Sequence, residues 1–146
     1  MRWLKLRTYY IFKVKEEYIK LYHDKPSSLY STFRQLLNLN KKDLPYAMQV
    51  FNSLCKKIEK EELNKQLYIK YHKDMIYTRT DKEHIINNLY KDEISILTIK
   101  NSHVLLTTNH SYSSFFNILI DYNPCFFVCD FENQDYFFLN DIKILV

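Results

Sequence analysis

The chain has 146 residues, enough for one domain that buries about 68–70% of its unfolded surface, and its 47% hydrophobic and 26% charged content is globular. Its net charge of +4 is spread through mixed runs such as Lys56-Lys57-Ile58-Glu59-Lys60-Glu61-Glu62, a solvated face and not the clustered basic footprint of a nucleic-acid binder. Glycine is absent, which excludes glycine-dependent phosphate loops and dinucleotide fingerprints.

Leu6–Val14 is rich in aromatic and β-branched residues and reads as a first, interior strand. At Lys15 the pattern changes to that of a helix running to His23. There Tyr18 and Tyr22 fall four apart and share one face. Pro26 ends that helix, and Ser27 or Ser28 starts a second with Leu29, Phe33, Leu36 and Leu37 on its apolar side. After a polar turn at 38–42, Asp43 is the expected N-cap of the clearest helix in the chain, with Pro45 in its first turn. Leu44, Ala47, Met48, Phe51, Leu54, Cys55 and Ile58 predict a buried stripe along it, flanked by Asn52 and Lys56.

That helix is expected to fray over 59–66. Leu67, Ile69 and Tyr71 then alternate with Tyr68, Lys70 and His72, which predicts a strand with one wet face. A short extended piece over 75–78 precedes Thr80-Asp81-Lys82-Glu83, a capping-box pattern that predicts a helix carrying Ile85, Ile86, Leu89 and Tyr90. Glu93–Ile99 and His103–Thr108 read as a hairpin around Lys100-Asn101-Ser102. Tyr112, Phe115, Phe116 and Leu119 then repeat at helical spacing, and that helix ends before Pro124. Cys125–Phe131 is a buried strand, Asn133 a turn and Tyr136–Leu139 an antiparallel return. The tail Ile142–Val146 is expected to cover a sheet edge. Without glycine, left-handed turn positions are expected to fall to Asn and Asp, with Asn38, Asn40, Asn101, Asn109, Asn133 and Asn140 at the element boundaries.

The fold class expected is α/β (α+β), a mixed sheet of about five strands with helices packed on it, forming one domain over 1–146. No run approaches the ~18 apolar residues of a membrane span. Lys5, Arg7 and Lys13 interrupt any signal sequence, and three cysteines suit a reducing compartment, so a cytoplasmic protein is expected.

Catalytic signals are weak. Cys125 and Cys129, about 13 Å apart on a strand, cannot share a disulfide or a zinc ion. The five histidines follow no metal-ligand spacing. Asp130 ends an apolar run as catalytic carboxylates often do. Neither it nor Asp121, Asp135 or Asp141 has a partner at a spacing that implies acid–base work. No catalytic, cofactor-binding or metal-binding residue is therefore assigned. The Tyr18/Tyr22 pair remains, either as a core stripe or as a partner-facing patch of the kind tyrosine favours. Residue chemistry leaves both open, with Ile19 and Leu21 able to supply the buried contacts if the tyrosines stand at the rim.

Three segments carry a resemblance. Tyr9-Tyr10 with Lys15-Glu16-Glu17-Tyr18 and Tyr22 resembles the opening of SirA, the sporulation inhibitor of replication. Tyr46-Ala47-Met48 is a second match. Asn123-Pro124-Cys125-Phe126-Phe127, Asp130-Phe131, Tyr136 and Leu139-Asn140 are similar to the family's ending. The family's glycine before Leu-Asn is replaced within Phe137-Phe138, Asp141 stands where a proline would follow, and 59–92 matches poorly.

The resemblance implies a non-catalytic protein of spore-forming bacteria that binds the N-terminal domain of the replication initiator DnaA and restrains chromosome initiation. It also implies a mixed β-sheet packed with helices. Family contact positions fall on Tyr18, Tyr22 and Asn52, the last an amide one methylene shorter than the family's glutamine. Tyr18 and Tyr22 would be apolar anchors and Asn52 an orienting hydrogen-bonding group. The expected partner is the DnaA domain, with no direct nucleic-acid contact, no membrane and a monomeric chain. The alternative is a small nucleic-acid-binding domain using a basic, tyrosine-rich surface for stacking. An enzyme whose site is assembled from distant segments is the third class.

Overall fold

The computed structural model describes residues 5–123 and 125–142. Seven strands form one sheet: β1 (Arg7–Lys13), β2 (Tyr77–Arg79), β3 (Glu83–Asn88), β4 (Glu93–Ile99), β5 (Val104–Thr108), β6 (Phe126–Asp130) and β7 (Asp135–Phe138). Their spatial order is β2-β3-β4-β5-β1-β6-β7, and every neighbouring pair is antiparallel. The expected α/β class holds. The sheet is larger than the five strands expected, and its ladders are antiparallel where a mixed sheet was expected. Six helices accompany it among the described residues: α1 (Glu16–Tyr22), α2 (Pro26–Leu37), α3 (Leu44–Leu54), α4 (Lys60–Tyr71), α5 (Phe115–Tyr122) and α6 (Leu139–Ile142).

β1 is interior, paired to β5 on one side and β6 on the other. Alternation along the strands sorts two cores. Tyr9 and Ile11 of β1, with Leu97, Leu106 and Val128, face the first, which α4 and α5 cover with Leu63, Leu67, Phe115 and Phe116. Phe12, Phe127, Cys129 and Phe138 face the second, under Leu29, Tyr30 and Phe33 of α2 and Leu54 of α3. There Phe12 and Phe33 stack with ring centroids 4.1 Å apart. All of β6 is buried because it meets both cores.

Two segments depart from the sequence reading. Residues 67–72 are helical, not extended: Leu63, Leu67 and Tyr71 repeat every four and are buried, while Ile69 of the supposed alternation is exposed. Glu61 and Glu62 in the first turn of α4 and Lys70 in its last complement the helix dipole. Residues 83–88 are a strand, not a helix. The Thr80 hydroxyl does accept the Glu83 N–H at 3.1 Å, as a capping box requires. The Thr80 N–H also donates to the Glu83 carbonyl at 3.0 Å, closing a β2–β3 hairpin. Leu89 and Tyr90, expected on that helix, are exposed in the next turn.

Among the described residues positive φ falls on Asp92 (52°) and Gln134 (55°), and on none of the asparagines expected there. Asparagine shapes turns here through its side chain. The Asn109 amide accepts the Ile94 N–H at 2.9 Å and donates to the Asp92 carbonyl at 2.7 Å. The tail expected to cover a sheet edge lies, beyond Ile142, outside the described residues.

Candidate functional site

α1 begins where β1 ends, and the C-terminal end of α3 is bound to the same point. The Lys15 N–H donates to the Leu54 carbonyl at 2.9 Å, and the Lys56 N–H to the Lys13 carbonyl at 2.8 Å. Val14 and Cys55 form an antiparallel bridge between these two links. This junction exists because α3 stops at Leu54, four residues short of the expected Ile58, and Cys55 turns extended. It fixes Tyr18, one turn into α1, relative to Asn52, two residues before Leu54.

Tyr18 and Tyr22 are both half-buried, packed against the second core with part of each ring open. They are neither engulfed nor fully presented. Leu21, expected to supply buried contacts, is 63% exposed, whereas Ile19 does pack on the core. The reason is helical geometry: Tyr18, Ile19 and Tyr22 share the inward face of α1, and Leu21 lies away from it.

Asn52 is exposed and lines a groove of about 530 Å³ between α2, α3 and the sheet. Phe12 and Tyr10 form its floor, and Phe33, Leu36, Met48 and Phe51 its walls. Tyr18 and Tyr22 do not line it. The groove overturns the continuous buried stripe expected on α3. Ala47 and Leu54 are buried, but Leu44 and Met48 are 55% and 57% exposed and Phe51 is half-buried. Nothing in the sequence distinguishes an apolar stripe that is covered from one that borders an open groove.

The charged side chains that line the groove, among the described residues, are Lys56 and Lys57. Glu59, Glu61 and Glu62 line the adjoining cleft, which shares Asn101 with it. His103, also lining it, bonds through Nδ1 to the Ser102 hydroxyl at 2.8 Å. Burial and then the Lys100 charge push its pKa down, favouring the neutral ring. Burial pushes the Cys55 thiol up to about 12, so it stays protonated and unreactive near neutral pH. Cys129 is raised by burial too, and all three cysteines are free. Cys129 is buried, as expected of a strand cysteine, and Cys125 is half-buried.

The carboxylate that looked most like a catalytic one is engaged in a turn. Asp130, fully buried, accepts the Asn133 N–H at 3.1 Å and its amide at 2.7 Å, shaping the β6–β7 connection. Sequence reasoning missed a buried polar cluster around Glu93. Its carboxylate accepts the Ser95 hydroxyl at 2.6 Å, the Ser114 N–H at 2.9 Å and the Ser114 hydroxyl. Burial alone would raise the Glu93 pKa, but hydrogen bonds from Ser114 and Ser95 outweigh it and hold the group below its usual range. These contacts anchor the start of α5, and the Ser113-Ser114 pair before an apolar run was the available signal. Among the described residues no three His, Cys, Asp or Glu side chains are grouped to hold a metal ion, and no helix is long and apolar enough to cross a membrane.

The arrangement can present aromatic anchors and an apolar groove to another macromolecule. No curated protein matches the chain. The family model described as sporulation inhibitor of replication protein SirA matches residues 7–143, which takes in the tyrosine pair, the groove and the whole sheet. The chain therefore belongs to the family of the sporulation inhibitor of replication protein SirA.

Proposed function

We propose that the chain restrains replication initiation without catalysis, by binding the N-terminal domain of DnaA through Tyr18, Tyr22 and Asn52. Family membership supplies the inhibitory role, and the pose of the two tyrosines supports the surface. A ring half-buried on the second core is held in one orientation, so little conformational freedom remains to be lost when a partner covers the rest. The two rings would anchor the partner, and the Asn52 amide would fix its orientation. On this reading residues 1–146 act as one domain, a cytoplasmic monomer that meets DnaA and not DNA.

The test is calorimetric titration of the full chain with the isolated DnaA N-terminal domain. Tyr18→Ala is expected to weaken binding by about 2 kcal/mol or more, roughly thirtyfold. Its Tm should fall only a few degrees, about what half-burial of one ring is worth. Unchanged affinity in Tyr18→Ala, or no binding by the parent chain, would sink the proposal. A mobility shift with DNA that fades steeply with salt would favour the nucleic-acid alternative.

A further inference from the structure

Among the described residues, the second face of the sheet is covered by helices over only part of its width. α2 and α3 lie over β1, β6 and β7, but the same face continues across β5, β4 and β3. The register sets Thr8, Thr107, Ile96 and Ile85 in one row across it, and Tyr10, Leu105, Thr98 and Glu83 in the next. All these side chains are half-buried, whereas their neighbours on the opposite face, Leu97, Leu106 and Ile86, are sealed under the first core. The groove lies where the helical wall of Met48, Phe51 and Leu36 meets this floor. A wall of helices beside a sheet face that the described residues leave only half-buried has room for one more helix of the layer.

At the groove itself charge decides which helix fits. Lys56 and Lys57 are exposed along it and, among the described residues, no Asp or Glu lines it; Glu83 lies at the far side of the sheet face, on β3. Met48, a flexible and polarizable side chain, is largely exposed at the wall and can adapt to what docks. We propose that this groove binds an amphipathic α-helix of a partner protein, with its apolar stripe on Leu36, Met48 and Phe51 and flanking carboxylates at Lys56 and Lys57. Such docking reads anchors at i, i+3/i+4 and i+7. The site shares Asn52 with the surface proposed above but uses neither tyrosine.

The test is fluorescence anisotropy with the full chain and two labelled peptides of about 15 residues. Both carry Leu at helical spacing, flanked by Glu in one and by Lys in its twin. The Glu peptide is expected to bind at least about tenfold more tightly than the Lys twin. Met48→Asp should remove about tenfold of that affinity, and Lys56→Glu/Lys57→Glu should invert the preference. All three positions are exposed, and an unchanged Tm shows that the fold is intact. Lys73→Glu/Lys91→Glu makes the same charge change at the opposite ends of α4 and β4, and should leave binding unaltered. Tyr18→Ala should also leave it unaltered, which separates this site from the tyrosine surface. Equal binding of the twins, binding of neither, or an equal loss on reversing Lys73 and Lys91 would overturn the groove assignment.

Discussion

His84 shows how one side chain can carry a dependence on pH. It is 1% exposed, with Nδ1 2.6 Å from the Tyr77 hydroxyl and Nε2 2.7 Å from the Asn64 side-chain oxygen. That pairing fits a neutral ring that accepts from Tyr77 and donates to Asn64, tying α4 to β2 and β3. Burial, and then the Arg79 charge, lower its pKa from 6.5 to about 4. The unfolded chain takes up that proton near pH 6.5, so this contribution is complete above pH 6.5 and is lost as pH falls toward 4. The loss approaches about 3 kcal/mol. Urea unfolding between pH 7.5 and 4.5 is expected to show this slope, and His84→Gln should flatten it whatever its effect at neutral pH. Glu93, held below its usual range, adds a further loss at more acid pH, as its folded-state pKa is crossed. The sequence shows His84 as one of five unpatterned histidines. Only the register of β2 with β3 and the approach of α4 make it a buried link.

At the scale of elements, the start of α5 depends on a carboxylate from another part of the chain. Ser114 is the N-cap residue by position, yet its hydroxyl goes to Glu93 and not to its own helix. Glu93→Gln should therefore cost about 2 kcal/mol, because charge-assisted bonds to buried groups are replaced by neutral ones. Ser114→Ala in the same background should add less than it does alone, with a coupling of about 1 kcal/mol in a double-mutant cycle. Additive effects would show that α5 does not rely on Glu93. The legible elements were those with one dominant pattern: β1, the β4–β5 hairpin and α5 fall where strand-like runs, a polar turn and three/four spacing placed them. α2 does so too, except that it begins at Pro26, after Lys25, and not at Ser27 or Ser28. α4 and β3 were misread because two patterns compete there. Leu67, Ile69 and Tyr71 alternate by chance within a stripe of period four, and Thr80 caps a hairpin with the same bond that would cap a helix. Tertiary burial decides between such patterns, and it is not written in any short window.

For the molecule as a whole, Phe12 is the joint between sheet, α2 and groove. It is 3% exposed, stacks on Phe33 at 4.1 Å and meets Phe51 edge-on at 5.8 Å. Phe12→Ala is expected to cost about 3–5 kcal/mol by chemical denaturation and to remove the groove floor with it. A loss below about 1 kcal/mol would mean that the second core closes over the gap. The central β1 pairs with β5 and β6, about a hundred residues further along the chain, so no local pattern could give the strand order.

By itself the sequence determined the class of fold, the positions of most strands and helices, and the resemblance to the family whose model matches residues 7–143. It could do so because periodicity and residue type act over a few neighbours. Tertiary structure alone decided that the two tyrosines stand half-covered, that the apolar stripe of α3 opens onto a groove, and that one sheet face is only half-buried among the described residues. Exposure depends on which distant segment happens to lie above a residue, and here that is set by long-range strand pairing and the Lys15–Leu54 junction.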